Sequence, residues 1–205
     1  MKIYIVRHGE TDANKQGKLQ GLSDDPLNIN GINLAKITGK ALKDVNFYKA
    51  YSSPLLRAKT TISTILNENN NPSTPITLDN RLIEVDMGDW QGKKFKEPNA
   101  EININDVNQF FTNPFEFSGI PNGESVYSVC NRTQQFIKEL ILLNDDNNYL
   151  VGTHGFAMRA MLNFLYKDKH NFWHGHVPYN CSVSVIEAKD GDIKLIQDDI
   201  IFYNK

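Results

Sequence analysis

Ile5-Val6-Arg7-His8-Gly9 and Val151-Gly152-Thr153-His154-Gly155 are the two stretches whose reading decides the fold. Each ends a short β-prone run, residues 2–6 and 149–153, on a histidine followed by a glycine. A run of that length that stops at a polar turn predicts a buried strand and its exit loop. Parallel strands of an open α/β sheet present their carboxyl ends on one side, and ligands bind there. Two neighbouring strands of this kind would turn His8 and His154 toward one crevice. The glycine after each histidine would let a substrate approach the backbone closely. A helix starting after His154 would add N–H donors and the positive end of its dipole, which suit an anion.

Outward from these strands the pattern alternates. Residues 31–45 place Ile32, Leu34, Ala35, Ile37, Ala41, Leu42 and Val45 as a helix would, with Asn28 or Asn30 as its cap. Residues 48–52 read as a strand. Ser53-Pro54 then opens a helix of about 14 residues, serine as N-cap and proline at the first helical position. A short strand is expected at 76–78, an amphipathic helix at 124–143 and a helix from 155 to about 166. Strands follow at 181–187 and 192–198, joined by the hairpin signal Asp190-Gly191. Residues 86–124 lack a clean period, with one weakly helical piece near 105–112, and read as a short insertion: a lid or a plain surface excursion. The alternation predicts an α/β fold, a single domain over 1–205 with three α/β/α layers around a mostly parallel central sheet.

Composition excludes several functions. The chain has 205 residues, 22 Lys and Arg against 24 Asp and Glu, and a formal net charge of −2. No broad positive field favours nucleic acid or anionic lipid. No apolar run approaches the roughly 18 residues that span a bilayer. The apolar start is too short for a signal peptide before Arg7 interrupts it, and two cysteines, Cys130 and Cys181, make no disulfide framework. A cytoplasmic protein with neither nucleic-acid nor membrane partners is expected.

A single histidine at a strand end is an ordinary polar loop residue, and paired histidines also suit a metal. No cysteine or carboxylate cluster at ligand spacing stands beside His8 or His154, so no metal ion is expected. His170, His174 and His176 read as loop or rim residues.

Arg7-His8-Gly9-Glu10-Thr11 followed by Asn14 resembles the signature of the histidine phosphatase superfamily, in its phosphoglycerate-mutase-like branch. The resemblance continues in order along nearly the whole chain. It runs through Gln20-Gly21 with Asp25-Pro26-Leu27 and Gly31, then Ser52-Ser53-Pro54-Leu55-Leu56-Arg57-Ala58 with Thr60-Thr61. Arg81-Leu82-Ile83-Glu84 through Gly88-Asp89-Trp90-Gln91-Gly92 follows, then Pro121-Asn122-Gly123-Glu124-Ser125 and His154-Gly155.

The resemblance implies a phosphoglycerate-mutase-like fold and phosphoryl chemistry without a cofactor. It implies that His8 is the nucleophile and becomes phosphohistidine. A neutral imidazole is available for that near pH 7, its free pKa being about 6.5. Arg7 and Arg57 would clamp the phosphoryl oxygens, since a guanidinium fork matches them bidentately. His154 would be the third cation or donor. Asn14 would be a neutral contact, with Gln20, Gly21 and Gly155 also at the substrate. Of the clustered acids Glu84, Asp86 and Asp89, the family pattern selects Glu84 as proton donor and acceptor. A neighbouring phosphate dianion would raise its pKa, while Asp86 and Asp89 read as solvated loop acids. Another branch of the superfamily places an aspartate directly after its second histidine; here that residue is Gly155, which strengthens the case for Glu84.

The expected activity is metal-independent hydrolysis of a small phosphorylated metabolite. The alternatives are a cofactor-dependent phosphoglycerate mutase and, more remotely, a phosphate-binding module without catalysis. Such mutases carry a basic central insertion, whereas 93–120 holds only Lys93, Lys94 and Lys96 and no arginine. A mere binder would be expected to lack part of the set His8, Glu84, Arg7, Arg57 and His154. Phe95, Phe110, Phe111, Phe115 and Phe117 suit a small core of the insertion better than a pocket wall.

Overall fold

A computed structural model describes residues 1–96 and 98–204. Strands β1 (Lys2–Arg7), β2 (Phe47–Ser52), β3 (Ile76–Leu78), β4 (Asn148–Thr153), β5 (Val183–Lys189) and β6 (Asp192–Ile200) form one sheet in the order β3-β2-β4-β1-β5-β6. The pairings β3-β2, β2-β4 and β4-β1 are parallel, and those of β5 with β1 and β6 are antiparallel. β1 and β4 are thus neighbours, in register from Lys2 opposite Asn148 to Arg7 opposite Thr153. The next residue on each strand is His8 and His154, and the His8 N–H donates to the Thr153 carbonyl at 2.9 Å.

The helices are α1 (Asp12–Lys15), α2 (Ile29–Ala41), α3 (Leu56–Glu68), α4 (Ile104–Thr112), α5 (Val126–Ile141) and α6 (Gly155–Leu162). β1 is apolar on both faces because both are covered. Ile3 and Ile5 pack with Phe136, Ile137, Met158 and Met161 of α5 and α6. Val6 packs on the other face with Ala35, Ile62 and Ile65 of α2 and α3. Those are the three layers. A further apolar cluster fastens the insertion to the end of α6: Trp90, Phe110 and Ile120 pack against Phe156, Ala160 and Phe172. Among the described residues, no helix is long and apolar enough to cross a membrane.

Several elements differ from the sequence pattern. α1 was not foreseen; it is one turn fixed by a reciprocal Thr11–Asn14 capping box. α2 is capped by Asn28 and stops at Ala41, short of residue 45. α3 starts at Leu56 with Leu55 as N-cap and no side-chain cap. Ser53 stands two residues before that cap, where its hydroxyl accepts from Leu55 N–H at 3.3 Å and lies 2.8 Å from His154 Nε2. α6 ends at Leu162, and a 3₁₀ turn covers Asn163–Leu165. Cys181, left-handed at φ 56°, delays β5 to Val183. Packing requires Gly9: a Cβ there would lie 2.6 Å from the Gly31 carbonyl oxygen.

Candidate active site

His8 is buried, 3% exposed, at the carboxyl end of β1. Its Nδ1 lies 2.7 Å from the Gly9 carbonyl oxygen. A carbonyl only accepts, so Nδ1 carries the proton and the neutral ring keeps the Nε2 lone pair. Burial, then the charges of Arg57 and Arg7, hold the imidazole well below its ordinary range. His8 therefore presents a neutral ring nitrogen with two cations beside it.

His154 stands next to it, ring centroids 5.1 Å apart. Burial, then Arg57, His8 and Arg7, hold this imidazole well below the ordinary range too. Of the two roles expected of His154, cation or donor, burial disfavours the cation; its Nε2 lies 2.8 Å from the Ser53 hydroxyl and its Nδ1 is buried without a protein partner.

These two neutral imidazoles make stability pH-dependent. Their folded-state pKa values lie below the unfolded value near 6.5, so the unfolded chain binds more protons as pH falls. Stability is expected to drop below about pH 6.5, by up to about 1.4 kcal/mol per pH unit for each histidine. Melting temperatures taken from pH 7 to 5.5 check this, and His8→Gln should flatten the slope. An unchanged slope in that variant would contradict the assignment.

Arg7 continues β1, and Arg57 sits in the first turn of α3. One Nη1 donates to the Pro178 carbonyl and the other to the Ser23 carbonyl. Arg57 Nη2 also donates to the Gly21 carbonyl at 2.8 Å. The Nε of each is buried without a protein partner. Burial pulls both guanidiniums down from their ordinary pKa, opposed first by Glu84. Thr61 ties the two catalytic segments together: its hydroxyl accepts from Gly9 N–H at 2.9 Å and donates to the Arg57 carbonyl at 2.7 Å. A Cβ at Gly155 would lie 3.0 Å from Val177 and in ordinary contact, 3.4 Å, with Arg7 Nε.

Glu84 reaches the start of α6, where its carboxylate accepts from Phe156 N–H at 3.2 Å and Ala157 N–H at 2.9 Å. The residue that holds this segment in place was not foreseen. Arg132 of α5 donates to the carbonyls of Arg81 (2.8 Å), Ile83 (2.7 Å) and Glu84 (3.0 Å) and pairs with Glu124 at 2.8 Å. It is a positioning residue for the acid. Arg132→Lys keeps the charge beside Glu124 but cannot serve three carbonyls. It is expected to lower kcat about tenfold to a hundredfold, the cost of a misplaced group, with the affinity for inorganic phosphate unchanged. Equal loss of both would make its role merely structural.

A cavity of about 420 Å³ opens over His8, Arg7, Arg57 and Glu84. Of the other residues expected at a substrate, Asn14, Gln20, Gly21 and Gly155 line it, whereas His154 lies behind the lining. Gly21, at φ 53°, also acts through the carbonyl that holds Arg57. Asn180, which the sequence did not suggest, lines it too and donates to the His8 carbonyl at 3.0 Å. Asp86 and Asp89 lie outside the lining and accept from Gly88 N–H and the Asn122 amide. His174 stacks on Tyr166, and the exposed His176 lies 3.2 Å from Asp199. The insertion aromatics serve two roles where one was favoured: Phe115 and Phe117 pack as core, whereas Phe95, Phe110 and Phe111 also line the cavity. Among the described residues, no cluster of His, Cys, Asp or Glu could hold a metal ion.

A neutral imidazole, two guanidiniums and a carboxylate meet at one sheet edge, and comparison with known proteins gives the family. Residues 3–198 match the model of the histidine phosphatase superfamily (branch 1), and the chain belongs to that family, whose members include phosphatases and mutases. The chain is 33% identical over 193 residues to phosphoserine phosphatase 1 of Hydrogenobacter thermophilus, covering 93% of this chain and 88% of that one. It is 32% identical over 192 residues to a 2,3-bisphosphoglycerate-dependent phosphoglycerate mutase of Methanococcus vannielii, covering 80% and 81%. The solved structure of Bacillus stearothermophilus YhfR superposes with a TM-score of 0.87 at 27% identity, over 98% of this chain and 97% of that one. The fold is the phosphoglycerate-mutase-like α/β fold.

Proposed function

We propose that the chain is one catalytic domain that hydrolyses a small phosphate monoester through phosphohistidine on His8, with Glu84 moving the proton. The observation that carries this reading is the pair of guanidiniums that line the cavity beside a neutral His8, each with a buried Nε–H that has no protein partner. Buried donors are normally satisfied, and a phosphoryl group in the cavity would bring acceptors to Arg7 and Arg57.

The His8 Nε2 lone pair forms the N–P bond as the P–O ester bond breaks, and the leaving oxygen takes a proton from Glu84. Water then attacks phosphorus and gives a proton to Glu84, the N–P bond breaks, and inorganic phosphate leaves. Arg7, Arg57, His154 and Asn14 hold the equatorial oxygens, the charge stabilisation on which phosphoryl transfer chiefly depends. The relative named for phosphoserine supports a small phosphorylated metabolite as substrate. The relative named as a mutase supports phosphate transfer as the competing outcome. Hydrolysis is favoured because, of the three lysines in 93–120, only Lys96 lines the cavity.

Phosphate release from a panel of phosphorylated metabolites is expected to survive EDTA, the cationic side chains supplying the charge. Activity lost to chelation and restored by magnesium would overturn the scheme. Conversion of 3- to 2-phosphoglycerate faster than phosphate release would make the enzyme a mutase.

A further inference from the structure

We propose that the alcohol part of the substrate is a flat aromatic or otherwise apolar body held on a wall of rings, in place of a three-carbon acid or amino acid. The proposal rests on the phosphatase reading of the same site.

Beyond the phosphoryl end, the cavity is bounded by Phe95, Phe110, Phe111, Phe156, Trp173 and Val177. A phosphoryl group fills a small part of about 420 Å³. Ligand sites of this size are mostly apolar, with a few placed polar groups that fix orientation, and here the rings share the lining with Arg7, His8, Arg57 and Glu84.

The wall is already assembled. Phe95 and Phe111 stack at 5.3 Å and 28°, Phe111 lies 5.5 Å from Trp173 at 31°, and Phe110 stacks on Phe156 at 5.3 Å and 13°. The Trp173 indole N–H donates to the Phe110 carbonyl at 3.2 Å, which fixes that ring. Phe95 and Phe111 remain half-buried on the cavity side. A ring-bearing ligand would meet a prepared surface with little side-chain ordering to offset its gain.

The charges argue against an amino acid. Among the described residues, Glu84 is the one carboxylate in the lining. The α-ammonium of a phosphorylated amino acid would have no acid to sit against except the one that moves the proton. Lys18 and Lys96 stand at the mouth, and the Lys96 ammonium lies over the Phe95 ring at 5.8 Å.

The test holds leaving-group chemistry nearly constant by comparing 2-phenylethyl phosphate with glycerol 3-phosphate and phosphoserine, all alkyl esters. The expected kcat/KM is higher for the phenylethyl ester on the order of tenfold to a hundredfold, the range of apolar-pocket discrimination. Phe111→Ala and, independently, Phe95→Ala should bring the ratio toward one while sparing glycerol 3-phosphate. Binding of the non-hydrolysable 2-phenylethylphosphonate against methylphosphonate reads the wall without catalysis. Equal kcat/KM values with equal phosphonate affinities would overturn the proposal. Tighter binding of the phenylethyl phosphonate with no hydrolysis of any ester would support the wall and overturn the phosphatase reading.

Discussion

His8→Ala is expected to lower turnover by about a thousandfold or more, the scale on which a covalent nucleophile is lost. The neighbouring imidazole cannot take over. His154 is fully buried, its Nε2 is engaged by Ser53, and its ring centre is 5.1 Å from that of His8. Ground-state binding should persist, because the Arg7 and Arg57 guanidiniums are anchored by the carbonyls of Pro178, Ser23 and Gly21 and not by His8. Two measurements check this together. Wild type quenched during turnover with a phosphorus-labelled ester should carry an acid-labile label, and His8→Ala should carry none while still binding inorganic phosphate. A variant that keeps turnover within tenfold of wild type would remove His8 from the reaction.

Arg57→Ala is expected to lower turnover by roughly a hundredfold or more, the cost of one preorganised donor in a buried site. Arg57 is fully buried, its Nη atoms hold the carbonyls of Gly21 and Ser23, and its Nε faces no protein acceptor. The substitution removes a donor from the phosphoryl group and also leaves two loop carbonyls without theirs. Arg57→Lys separates these effects: it restores charge without the fork, so turnover should recover only in part. Turnover on a simple aryl phosphate, beside the inhibition constant of inorganic phosphate, reads both. A loss of tenfold or less in Arg57→Ala would count against the clamp.

The sequence made the catalytic edge legible because strand ends are local. An apolar run followed by His-Gly is visible in five residues, and its appearance twice points to one edge. What the run cannot carry is which strands are neighbours; that β1 lies beside β4 became an observation only with the sheet order. Ser53-Pro54 shows a local signal with a second, distant use: the hydroxyl accepts from Leu55 N–H ahead of α3 and also meets a histidine 101 residues away, which no local pattern shows. Arg132 was hidden for a related reason. A helix arginine in sequence looks like any solvated one, and the carbonyls it serves lie 48 to 51 residues upstream. Glu124, eight residues before Arg132 and paired with it, was the one readable hint. α1 escaped because its Thr11–Asn14 box spans a single turn with no buried residue to give it a period.

The seat of Glu84 on the first turn of α6 links two helices through one side chain. The carboxylate comes from the segment after β3, yet it rests on Phe156 and Ala157 N–H at the start of α6. The carbonyls of the same segment are held by Arg132 of α5. The Glu84 oxygens are thus gripped from α6 while their backbone is gripped from α5, so any sliding of one helix on the other would be felt first at this carboxylate.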